Sequence, residues 1–79
     1  MKYTAEITIN EDVKNLERLF ASEEKEFSNA RAKYEIVKGK NSLTFKFEAK
    51  DSTALRAVLN SVAKVLAVYE KTKSVIKGD

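Results

Sequence analysis

The side chains available for chemistry are few in kind, because the chain contains neither cysteine nor histidine. That absence excludes a disulfide framework, a thiolate or imidazole metal site, and any Cys/His or Ser/His nucleophilic pair. What remains is a general base or nucleophile drawn from Asp, Glu, Lys, Ser, Thr and Tyr and held in a pocket, and among these only a set of carboxylates has spacing that could bring its members together. Glu6, Glu35 and Glu48 fall on the polar side of alternating segments and are the carboxylates whose spacing could gather them. They are interleaved with Lys2, Lys33, Lys46 and Lys50, so cross-strand ion pairs account for them better than a catalytic dyad does. No catalytic residue, cofactor or metal ligand is expected. Gly39, flanked by Lys38 and Lys40, lacks the repeated glycines and following helix of a phosphate-cradling loop, and its position fits a hairpin turn.

The other chemistry on offer is electrostatic. The net charge of +3 is unevenly spread: residues 1–27 carry four Lys/Arg against seven Asp/Glu, whereas residues 28–79 carry eleven against five. The basic part, with Arg31, Lys33, Lys38, Lys40, Lys46, Lys50, Lys64, Lys71, Lys73 and Lys77, is able to meet phosphates at low salt or to serve as a solvated surface. Abundant lysine and glutamate with no proline also suit a protein of a hot environment. No apolar run is long enough to span a membrane, so a cytoplasmic location and no membrane partner are expected.

These residues are placed by five predicted elements. Tyr3, Ala5, Ile7 and Ile9 alternate with Lys2, Thr4, Glu6 and Thr8, which predicts a first strand wet on one face. Asn10 then offers a cap, and Val13, Leu16, Leu19 and Phe20 recur at helical spacing, giving a first helix over about residues 11–26. From Ala30 the period returns to two through Ala32, Tyr34 and Ile36. Lys38 to Asn41 supply a turn, with Gly39 and Asn41 able to take positive φ, and Leu43, Phe45, Phe47 and Ala49 complete a hairpin. Asp51, Ser52 and Thr53 compete to cap a second helix reaching about residue 75. Its core stripe is Leu55, Val58, Leu59, Val62, Val65, Leu66, Tyr69 and Ile76. The expected fold is α+β in the order β-α-β-β-α: one domain over residues 1–79, with two helices on one face of a three-stranded antiparallel sheet.

A domain this short buries only about 60–65% of its unfolded surface, and without disulfides or metals the remaining supplement is association. Two surfaces suit it. Three strands leave open edges, which predicts edge-to-edge dimerisation. On the second helix Ala54, Ala57, Ser61, Val68 and Val75 gather beside the core stripe, framed by Arg56, Asn60, Lys64 and Lys71. That strip reads equally as a docking surface for another helix or as alanine chosen for helix propensity. Autonomous RNA recognition is disfavoured. The aromatics point inward, where an RRM needs them outward, and Gly39 and Gly78 cannot form the Gly-x-x-Gly loop of a KH domain.

Phe47-Glu48-Ala49-Lys50-Asp51, continuing through Ser52, Thr53, Ala54, Leu55, Arg56 and Ala57 to Leu59, Asn60 and Ser61, resembles the signature of the Pcc family, the smallest core subunit of the KEOPS complex. The resemblance extends to the element order, to Arg31 entering the second strand and to Gly39 in the hairpin. It implies a non-catalytic subunit supporting threonylcarbamoyladenosine formation on tRNA. The implied partners are a Kae-type catalytic subunit, met through helices, and a second Pcc-type chain or a Gon-type subunit, met through the sheet. Contacts are then expected at Arg56, Ala57, Asn60, Ser61, Lys64 and Val68, with Arg31, Lys38, Lys40, Lys71 and Lys73 placed to approach tRNA. Departures occur at Ala32, where family members commonly have serine, and at Val62, Ala63 and Lys64, where they often carry an aromatic and an arginine. These admit a divergent paralogue in the fifth-subunit place, and the remaining alternative is a free-standing basic RNA-binding module.

Overall fold

The computed structural model describes residues 1–27 and 30–76, with the side chains of residues 74–76 also outside the description. Its elements are β1 (Tyr3–Ile9), α1 (Val13–Ala21), β2 (Glu26–Phe27), β3 (Ala32–Lys38), β4 (Leu43–Ala49) and α2 (Ser52–Ile76). The sheet has four strands in the order β1-β4-β3-β2, and every neighbouring pair is antiparallel. The expected α+β architecture is present, with one strand more than the three expected.

The extra strand comes from the region expected to continue the first helix to residue 26. Helix α1 stops at Ala21, where the Lys25 ammonium folds back to donate to the carbonyl of Phe20 at 2.6 Å and to that of Glu23 at 3.2 Å. Those bonds occupy acceptors that a continuing helix would need. The chain then runs beside β3, pairing Glu26 with Lys33 and Phe27 with Ala32, and Phe27 stacks on Tyr34 with ring centroids 6.2 Å apart. A two-residue strand has no periodicity to read, and the Glu-rich segment before it has good helix propensity.

The start of α1 also differs from expectation. Asp12, not Asn10, precedes the helix, at φ 51°, in the left-handed region that aspartate tolerates better than most residues. Its carboxylate makes no capping bond; it accepts hydrogen bonds from the Tyr69 hydroxyl, at 3.2 Å, and from the Lys73 ammonium. The β1–α1 turn is thereby tied to the distal half of α2. At the other end of α2, Asp51 prevails as cap, its Oδ1 accepting from the Ala54 amide at 2.7 Å.

Both helices pack on one sheet face. Leu16 and Phe20 of α1 and Ala54, Val58 and Val62 of α2 are buried with Ala32, Tyr34, Leu43, Phe45, Phe47 and Ala49 of the sheet. Phe20 meets Phe45 edge-on at 4.9 Å, and Tyr34 lies 5.8 Å from Phe47. Ala54 therefore belongs to the core and not to the strip on which it was expected. Gly39 closes the β3–β4 hairpin through its amide to Ser42 O at 2.8 Å. Positive φ is not what the turn requires at Gly39 or Asn41; glycine serves by close approach, since a Cβ at 39 would stand 2.5 Å from the Ser42 hydroxyl.

Burial, with a smaller contribution from Glu23, raises the Tyr34 hydroxyl from 10.0 to about 12. Between those values the unfolded chain ionises at this tyrosine and the folded chain does not, so proton release favours unfolding. Folding stability is therefore expected to fall as pH rises from about 10 to about 12 and to be insensitive to this group below that window. Absorbance titration of the tyrosinate band should show Tyr34 lagging, and its loss from the curve of a Tyr34→Phe variant would identify it.

Candidate interaction surfaces

The sheet face away from the helices carries the carboxylates that raised the question of catalysis. Register sets Lys46 between Glu6 and Glu35, and Glu48 between Thr4 and Lys33. Glu48 pairs with Lys2 at 2.6 Å and with Lys33 at 3.6 Å. The hydrogen bond from Lys2 comes first among the causes that hold its carboxyl below the ordinary value, and the charge and donation of Lys33 add to it. A general acid needs the opposite shift, so Glu48 serves as the centre of an ion-pair cluster with Lys2 and Lys33. Among the described residues there is no group of three or more potential metal ligands, and no helix is long and apolar enough to cross a membrane.

The basic residues placed for tRNA contact do not converge. Arg31 sits just before β3, with Nε 3.8 Å from Asp51 Oδ2, whereas Lys38 ends the same strand and pairs with Glu17 at 3.3 Å. A seven-residue strand separates them by roughly 20 Å. Lys73 is engaged by Asp12, with its ammonium raised above the ordinary lysine value chiefly by that hydrogen bond. Lys40 and Lys71 stand exposed, one on the hairpin and one on α2.

Helix phase sorts the contacts expected on α2. At about 100° per residue, Ala57, Ser61, Lys64 and Val68 share one flank, while Arg56 and Asn60 point directly outward. That flank borders a groove of about 430 Å³ lined by Leu19 and Glu23 of α1 and by Lys64, Val65, Val68, Tyr69 and Thr72 of α2. Val68 is 59% exposed at its rim. The groove holds two of the six expected contact residues; it adds Tyr69 and Thr72 from the same helix, and Leu19, which sequence could not join to them because α1 and α2 meet only in the fold. Val62, grouped by resemblance with the contact region, is 1% exposed and faces the core.

The second unsatisfied surface is β1. It pairs with β4 on one side, and among the described residues nothing pairs with the other. Its helix-side residues Tyr3, Ala5, Ile7 and Ile9 are all half-buried, although their register partners Ala49, Phe47, Phe45 and Leu43 are buried. On α2, Leu55, Leu59 and Leu66 are half-buried too and lie on the flank away from the α1 groove. At the opposite margin the short β2 covers the first residues of β3.

A four-stranded sheet with both helices on one face, a groove between those helices and, among the described residues, a long strand unpaired on its outer side define a small α+β domain. The chain belongs to the Pcc1 family: the family model described as "Transcription factor Pcc1" matches residues 4–74. No curated protein and no solved structure matches it.

Proposed function

We propose that this protein is a non-catalytic accessory subunit of a KEOPS-type complex, supporting threonylcarbamoyladenosine modification of tRNA through contacts with other proteins. Membership of the Pcc1 family supports the assignment. The observation that carries the mode of action is the groove between α1 and α2, apolar along Leu19, Val65 and Val68 and rimmed by Glu23 and Lys64. An amphipathic helix of a Kae-type subunit fits such a groove through recurrent apolar anchors. The β1 margin is assigned to a second Pcc-type chain, either a copy or a relative, whose strand would extend the sheet while its helix covers the half-buried flank of Leu55, Leu59 and Leu66. Contact with tRNA is assigned to the assembly, since the basic residues of one chain are spread over both ends of the sheet and three of the five are paired with carboxylates.

The test is reconstitution. The chain is mixed with a Kae-type subunit, with a regular Pcc subunit and with tRNA, separately and together. Co-purification with either protein and tRNA retention only in the joint mixture are expected. Salt-sensitive binding of tRNA by the isolated chain would instead favour the free-standing RNA-binding module. Binding to the regular Pcc subunit without direct capture of the Kae-type subunit would assign this chain to the fifth-subunit place, for which the departures at Ala63 and Lys64 on the exposed side of α2 give grounds.

A further inference from the structure

The open face of the sheet has a charge order, and β1 ends it unfinished. Its central row runs Glu35, Lys46, Glu6 from β3 across β4 to β1, with all three side chains exposed. The row beside it ends on Thr4, and the row on the other side, Val37, Thr44, Thr8, holds no charge; there Thr8 and Thr44 hydroxyls lie 3.2 Å apart. Glu6 is thus the one charge within β1 on this face, flanked by two threonines.

A two-fold antiparallel pairing of β1 with its own copy has a fixed consequence. Cross-strand partners share a face, so the register that pairs all seven residues matches Tyr3 with Ile9 and Thr4 with Thr8 of the copy, and sets Glu6 against Glu6. Slipping by two residues in either direction relieves that clash and leaves five of the seven residues paired. A strand bringing lysine or arginine opposite Glu6 instead continues the alternation of Glu35, Lys46 and Glu6 without loss of register. Like charges directly opposite one another on a sheet destabilise, and opposite charges stabilise by a similar amount.

We infer that Glu6 is a partner-selecting residue on β1, biasing the sheet margin against a second copy of this chain and toward a related strand that carries a cation at the facing position. This rests on the reading of β1 as the site of a second Pcc-type chain, and it adds the chemistry by which that partner is chosen.

The experiment uses charge reversal. Wild-type chain and Glu6→Lys are mixed in equal amounts, re-equilibrated, and the dimers counted by native mass spectrometry. Random pairing gives one half heterodimer; selection through Glu6 raises this to about two-thirds or more at low salt, with the excess shrinking as salt rises. Wild-type self-association measured by sedimentation is expected to tighten by roughly two- to five-fold in Glu6→Gln. A second variant, Thr4→Pro, removes a backbone donor that the register turns to the uncovered side of β1, and so disrupts edge pairing whatever the charge while leaving the β1–β4 ladder its donors. Random pairing and unchanged self-association in the Glu6 variants, with dimers lost in Thr4→Pro, would overturn the selection and keep the margin as the interface. Dimers unaffected by all three substitutions would overturn both.

Discussion

Val68→Asp is expected to reduce capture of a Kae-type subunit to background while leaving the fold intact. The side chain is 59% exposed in the isolated chain, so a carboxylate there stays hydrated and costs folding little. Against a packed helix the same carboxylate must lose its water, and Lys64, one turn before it at the groove rim, offsets only part of that cost. A central contact of that kind costs about 2 kcal/mol or more, which is roughly thirty-fold in affinity. Ala57→Glu, on the same flank about three turns nearer the start of α2, should act likewise. Titration calorimetry or pull-down against the Kae-type subunit measures the loss, and circular dichroism establishes that each variant folds. Undiminished capture by both would remove this flank from the interface.

Phe45→Ala should come close to unfolding the domain. Phe45 is 0% exposed and touches Phe20, Tyr34 and Phe47, so it joins α1 to the two central strands. Truncating a buried phenylalanine costs about 3–5 kcal/mol, and a chain of 79 residues has roughly 4–12 kcal/mol in all. Urea unfolding followed by far-ultraviolet dichroism should show the transition moved to very low denaturant or absent. A shift of less than about 1 kcal/mol would mean that the core is organised around other residues.

The long elements were legible because their hydrophobic periods are uninterrupted. Tyr3 to Ile9 and Leu43 to Ala49 alternate without a break, and α2 has neither glycine nor proline between Ser52 and Ile76. What escaped were features set by contacts distant in sequence. The end of α1 depends on the turn of Lys25 back onto Phe20, and β2 exists because Phe27 finds Tyr34. The placement of Ala54 shows the limit of helix phase alone, which gives the angle between residues but not the width of the surface the sheet will cover. The docking flank was found by its small residues, while the groove needed Leu19 from another helix. The unpaired margin was expected from strand number; which margin it is followed only from the order β1-β4-β3-β2.

Two residues, Glu26 and Phe27, carry a consequence out of proportion to their number. By lying along the start of β3 they cover its first two residues and shorten the open run on that side, and β1 is left, among the described residues, as the strand unpaired along its whole outer side. A building block that pairs only through such a side, as proposed for β1, has a valence of one: once two such sides meet, both are consumed and growth stops. The same fold with both sides bare would be able to add units without end, as fibres do.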